Sequence, residues 1–231
     1  MRITPLGRRL GVALVLSWLA GGAAVADSPE SESERSRRAA ARIESEWPIT
    51  GTGPVADFVR RLGAELGRTA SARGRTWSFL LVRDRSPNAF SIGGGRLYVT
   101  EGTFLLCRNE GELAAIVAHE MGHQLAGHFQ RPGARGTGDV ALGSVRQRVD
   151  PGEEREADRI SLRILEEAGY DPRAALSIAK RVAESSARAS RHFGDTRRIA
   201  ALEGLLVGAP TGGRTDSDAF RRLARDLASR S

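Results

Sequence analysis

Cysteine, lysine and aromatic residues are nearly missing from this chain of 231 residues. Cys107 is the one cysteine, so no intramolecular disulfide can hold the fold together. It stands in the apolar stretch TFLLCRN and reads as a small buried core residue. Aromatics make up 5% of the chain, but hydrophobic residues make up 40%, enough to bury a real core without them. Lys180 is the only lysine among 35 basic residues. That arginine excess reads as a coding bias, and the functional alternative is peripheral contact with anionic envelope surfaces. No tight basic run with interleaved aromatics occurs, which argues against nucleic acid as a partner. No internal repeat is visible, and no apolar run after residue 26 is long enough to cross a membrane.

The long apolar run that does exist is at the start. Arg2, Arg8 and Arg9 accompany a nearly wholly apolar stretch from Leu10 to Val25. Ala24-Val25-Ala26 then offers a small-x-small cleavage site before Asp27. This predicts a signal peptide over 1–26, cleavage after Ala26 and a periplasmic location. The alternative is an uncleaved membrane anchor, because the run approaches the ~17-residue minimum for a span. Cleavage would remove three arginines and no acid, lowering the formal charge from +7 to +4.

Residues 27–48 form a charged, serine-rich lead-in that runs into a helix around 36–46, and 49–231 form the main domain. The spacing of Phe58, Val59, Leu62 and Leu66 predicts a helix from about Val55 to Ala70. RTWSFLLVRD, NAFSI and RLYVTEG predict three short strands in a small antiparallel sheet, with Gly93-Gly94-Gly95 as the turn between the last two. Asn109 with Glu112 marks the start of a helix, and Asp150-Pro151-Gly152-Glu153 marks another that stops at Gly169. Further helices follow from Asp171-Pro172 and over Asp216–Ser229, where Phe220, Leu223 and Leu227 face inward. The fold class is α+β, mainly helical, with the sheet beside the helix that starts at Asn109.

That helix carries the stretch AAIVAHEMGHQLAGH. Residues four apart share a helix face, so His119 and His123 can aim two imidazoles at one point, with Glu120 beside it. This is the pattern of a zinc hydrolase, in which the glutamate takes a proton from the attacking water. The plain alternative is a buried helix with two satisfied histidines. His128 is nine residues after His119, about half a turn around on a continuous helix. It therefore reads as a group behind the site or as a helix cap, not as a third ligand. Downstream, EREAD places Glu154 and Asp158 one turn apart near a helix start. Glu154 can complete a His-His-Glu zinc site with a fourth position left for water. Asp158 can accept a hydrogen bond from the outer nitrogen of a ligating histidine. Acidic residues in a first helical turn are common by themselves, so it is the combination that carries the reading.

Four stretches occur in order: NAFSIGGGRLYVTEGTF, NEGELAAIVAHEMGHQLAGH, EREADRISLRILEEAGYDP and RHFGDTRRI. The chain here resembles the M48 metallopeptidases, gluzincin zinc enzymes with a periplasmic bacterial branch. The resemblance spans roughly Pro54 to Leu205. It implies a compact gluzincin fold, one Zn2+ per chain held by His119, His123 and Glu154, Glu120 as general base, and Asp158 beside the metal. Extended peptide or protein substrates are expected, and the strand near Asn88–Ser91, with Asn88, Ala89 and Phe90, is an edge that an extended chain could join. His192 and Arg198 match the family's His-Pro segment, with Phe193 in place of proline. Their implied role is to donate hydrogen bonds to the developing oxyanion, and His192 has the alternative of filling the open metal position at rest. Two departures stand out: Ile92-Gly93-Gly94-Gly95 where proline is usual, and a short glycine-rich stretch between His128 and Glu154. The function so implied is an envelope endopeptidase that degrades unfolded or misassembled proteins. Its rival is a non-catalytic or self-inhibited zinc-binding module of the chaperone type.

Overall fold

The computed structural model describes residues 31–129, 150–184 and 196–230, with the backbone of 140–141 and 144–145. The first helix, α1, spans Glu32–Glu46. It starts several residues before the apolar pattern suggests, because Ser31 forms a capping box with Glu34. The Ser31 hydroxyl accepts from the Glu34 N–H, and the Glu34 carboxylate accepts from the Ser31 N–H at 3.0 Å.

The sheet has four strands and is mixed, where three antiparallel strands were expected. β1 is Ile49–Thr50, β2 Ser78–Val82, β3 Ala89–Ser91 and β4 Arg96–Thr100, in the order β1-β2-β4-β3. β1 has two residues, too few to show an alternation, and it pairs antiparallel with β2. The glycine turn folds β3 antiparallel onto β4. This leaves the other edge of β4 to β2, and that pairing is parallel, with Ser78 opposite Arg96 and Val82 opposite Thr100. Both faces of the central strands are covered, so FLLV and LYV are nearly continuous apolar runs. Phe79, Leu81, Leu97 and Val99 join the main core with α2, Pro54–Gly67. Val82, Phe90, Ile92 and Tyr98 face Ala39, Ala40, Ile43 and Trp47 at α1. Gly95 can only be glycine: its φ is +77°, and a Cβ there would lie 1.8 Å from the Thr76 carbonyl oxygen.

β4 ends at Thr100, earlier than the run RLYVTEG suggests. The Thr100 hydroxyl accepts from the Thr103 N–H at 3.1 Å and caps a short helix, α3, Glu101–Leu106. Cys107 follows and is buried, as its apolar setting predicts. Next comes α4, Glu110–Leu125, in which every residue from Glu110 to Gln124 is buried. A helix hidden on all sides is a core element, and α2, α5, α6 and the sheet pack around it. Gln124 ties it to the sheet: its side-chain oxygen accepts from Gly95 N–H at 2.7 Å and its amide donates to the Arg96 carbonyl at 3.0 Å. A two-residue ladder, β5 Val140–Ala141 with β6 Ser144–Val145, precedes α5, Pro151–Glu167. The chain continues as α6 Arg173–Glu184, α7 Thr196–Leu205 and α8 Asp218–Ala228. Phe220 and Leu227 of α8 are buried against the core and Leu223 is partly so. Among the described residues no helix is long and apolar enough to cross a membrane.

The start of α4 is fixed by a buried acid. Asn109 caps it by accepting from the Glu112 N–H at 2.9 Å. The Glu112 carboxylate accepts from Ser177 Oγ at 2.6 Å, from Arg181 at 2.6 and 3.1 Å and from the Arg108 N–H at 2.8 Å. Burial works against its charge, but Arg181, Ser177 and the Arg108 N–H outweigh it and hold the carboxyl below its ordinary range. An acid depressed in the folded state stabilises the fold above its unfolded pKa, and that contribution is lost as pH falls through the folded value. Glu112→Gln is therefore expected to cost about 3 kcal/mol at pH 7, because Arg181 loses its buried counter-charge. Urea unfolding should show the gap between wild type and variant shrinking below about pH 4.

Candidate metal centre

The site is assembled where α4 meets α5. Between the two histidines of α4 stands Gly122, and a Cβ at that position would lie 2.5 Å from the Ala157 carbonyl oxygen and 3.0 Å from its Cα. The backbone of α5 thus rests directly on the metal-motif turn of α4. α5 starts with Asp150 as cap, its side chain accepting from the Gly152 and Glu153 N–H groups, and Pro151 follows in the first turn. These signals place Glu154 in the first turn of α5, facing α4.

His119 Nε2 and His123 Nε2 lie 3.0 Å apart. Glu154 Oε2 is 3.4 Å from the first, and Glu154 Oε1 is 3.5 Å from the second. All three side chains are buried, and their ligand atoms lie within 4.8 Å of one another. A tetrahedral ion with bonds of about 2.0–2.1 Å spaces its ligand atoms about 3.3 Å apart. The donor set and its spacing therefore fit a single ion.

Both histidines are held from behind. His119 Nδ1 lies 2.9 Å from Asp158 Oδ1. Asp158 is itself clamped by Arg198 of α7, whose Nη2 donates to Oδ1 at 2.7 Å and whose Nε donates to Oδ2 at 3.0 Å. Burial alone would raise the Asp158 carboxyl, but the Arg198 guanidinium and the His119 imidazole hold it down at about 2. Held as an anion, Asp158 can accept the Nδ1 proton of His119, which would leave the Nε2 lone pair facing His123 and Glu154. His123 Nδ1 lies 2.8 Å from His128 Nδ1. α4 ends at Leu125, so the continuous helix that would have carried His128 to the far side is absent.

Glu120 is buried beside this cluster, and Ser91 Oγ donates to its Oε2 at 3.0 Å. Ser91 was not singled out in the sequence. The signal was available in the alternation of NAFSI, which puts Ser91 on the same sheet face as Ala89 and opposite to Phe90. β3 is an edge strand. Asn88 accepts from the Thr100 N–H at 3.0 Å, and the Ile92 N–H donates to Arg96, so the alternation turns the main-chain groups of Ala89 and Ser91 away from β4. Asn88 is half-buried with its carbonyl also held by Thr103, and Phe90 stacks on Tyr98 on the α1 side. The structure thus brings together His119, Glu120, His123, Glu154, Asp158 and Arg198, with Ala89 nearby along β3. Arg198 stands behind His119, against Asp158. His192 lies outside the described residues.

The sequence pattern of peptidase family M48 matches residues 55–138, which contain both histidines and Glu120. Over those residues the chain is similar to peptidase family M48. It is similar to the mitochondrial metalloendopeptidase OMA1 of Schizosaccharomyces pombe, 28% identical over 66% of this chain and 53% of that protein. It is also similar to the putative beta-barrel assembly-enhancing protease of Vibrio cholerae, 25% identical over 64% of this chain and 37% of that protein. OMA1 of Saccharomyces cerevisiae is 28% identical over 54% of this chain and 46% of that protein. The chain spans about half the length, or less, of these relatives. The OMA1 relatives are named metalloendopeptidases, and in this chain the His119–His123–Glu154 cluster is a group that could hold a metal ion.

Two substitutions separate the ligand from its support. Glu154→Ala should lose most of the bound metal, read by elemental analysis, while keeping the helical circular-dichroism signal. Gly122→Ala should lose metal and also lower the melting temperature, because α5 must move away from α4 to admit the methyl group. Equal metal content in wild type and Glu154→Ala would place the third ligand elsewhere.

Proposed function

We propose that this chain is a zinc-dependent endopeptidase of the bacterial cell envelope that cleaves unfolded or misassembled proteins. The observation that carries the reading is Glu120. A buried carboxylate next to a His-His-Glu cluster, hydrogen-bonded to an edge strand, has no use in a purely structural metal site. A zinc ion held by His119, His123 and Glu154 supplies Lewis-acid chemistry, acidifying water and polarising the scissile carbonyl.

The protein's own groups do the rest. An extended substrate adds to β3 through the main-chain groups of Ala89 and Ser91, which selects for unfolded chain over any particular side chain. Glu120 takes the proton of the attacking water and returns it to the leaving amine. Ser91 holds that carboxylate against the strand on which the substrate lies, so base and peptide share one support. Arg198 acts through Asp158 to fix His119. His192 is assigned either donation to the oxyanion or occupation of the open metal position, which differ in the sign of the effect of His192→Ala on activity. The apolar stretch over 1–26 supports export, and the similarity to metalloendopeptidases and to a beta-barrel assembly-enhancing protease fits a quality-control role.

The test is hydrolysis of casein by the zinc-loaded protein. Glu120→Gln should keep the zinc and the fold but lower turnover by roughly 10²–10⁴-fold, because the amide cannot accept a proton. Substantial turnover by the variant would remove Glu120 from the role of base.

A further inference from the structure

His128 is the one buried histidine that the mechanism above does not use, and its position is built by the chain. α4 ends with Gly127 in the left-handed region at φ +70°. The His128 N–H then donates to the His123 carbonyl at 3.1 Å, and the Gly127 N–H to the Gln124 carbonyl at 3.1 Å. This is a Schellman closure, and it folds His128 back over the last turn of the helix. Its ring is buried, 5.0 Å from the His123 ring centroid. On its far side His128 Nε2 lies 3.3 Å from the half-exposed carboxylate of Glu156 in α5. Arg35 of α1 holds the next residue by donating to the Phe129 carbonyl at 3.3 Å.

The proton positions follow from the metal site. His123 turns Nε2 toward His119 and Glu154, so a lone pair for the ion requires its proton on Nδ1. That proton points at His128 Nδ1, 2.8 Å away, which must be the acceptor. The His128 proton then sits on Nε2 and is directed to Glu156. We propose that His128 is a positioning residue: it accepts the Nδ1 proton of His123 and so commits His123 to ligation through Nε2, as Asp158 does for His119. The role rests on reading the cluster as a metal site, and it explains why a third histidine lies so close without being a ligand. The two histidines are unequally supported. His119 leans on a buried carboxylate, whereas His123 leans on another imidazole with a half-exposed carboxylate behind it.

Asparagine carries an acceptor oxygen close to where the imidazole Nδ1 stands, whereas phenylalanine keeps the ring and has none. Zinc affinity is measured by chelator competition on the purified protein, with the visible spectrum of the cobalt(II)-loaded protein as a second readout. His128→Phe should weaken zinc binding by roughly 10–100-fold and alter the cobalt spectrum. His128→Asn should stay close to wild type in both, and all three proteins should melt alike without metal. Wild-type affinity in His128→Phe would overturn the proposal. So would an equal loss in both variants, since that would make the ring and not the acceptor the important feature. A wild type that binds zinc tightly but cleaves no peptide would overturn the endopeptidase reading and leave this one standing.

Discussion

The approach of α5 to α4 at Gly122 is the constraint on which the centre depends. Two imidazoles one turn apart make half a site on any helix. The other half must come from a second backbone near enough for a short carboxylate to reach the same point. A methyl group at position 122 would sit 2.5 Å from the Ala157 carbonyl oxygen, so glycine sets the distance at which Glu154 meets the histidines. Other features serve that contact. Asn109 and the Glu112–Arg181 pair fix where α4 starts, Asp150 and Pro151 fix where α5 starts, and Gln124 holds the far end of α4 to the sheet.

Around that contact the buried charge of Asp158 is matched by Arg198. Asp158 would be costly in the interior without Arg198, and Arg198 without Asp158. Together they form a neutral, bidentate pair that still presents a carboxylate oxygen to His119. The guanidinium also lies 3.9 Å from Glu154, so one arginine from a distant helix braces both Glu154 and Asp158 of α5. This ties α7 to the centre and gives the C-terminal half a structural reason to be there.

In the proposed function, the edge strand couples the centre to its substrate. β3 sits at the end of the sheet because the glycine turn brings it onto β4 and no other described strand follows it. Its inward-facing Ser91 touches Glu120, and its outward main chain is the part an extended peptide can join. Phe90, which the sequence suggests as part of a substrate surface, instead anchors β3 through Tyr98 and Trp47.

What the sequence determined by itself is local. The i, i+4 spacing of His119 and His123 and of Glu154 and Asp158, the caps at Asn109 and Asp150, and the stop at Gly169 each depend on neighbours within a turn or two. They are legible because helix geometry is the same in every protein. Tertiary structure decided what depends on distance along the chain. The parallel pairing of β2 with β4 follows from which edge the glycine turn left open, and β1 is too short to leave a pattern. Ser91 meets Glu120 across 29 residues and Arg198 meets Asp158 across 40, and no spacing rule reaches that far. His128 shows both at once. Its distance from His119 excluded it as a ligand on the premise of a continuous helix, yet the chain breaks that helix at Gly127. The fold, through one left-handed glycine, put the ring behind His123 instead.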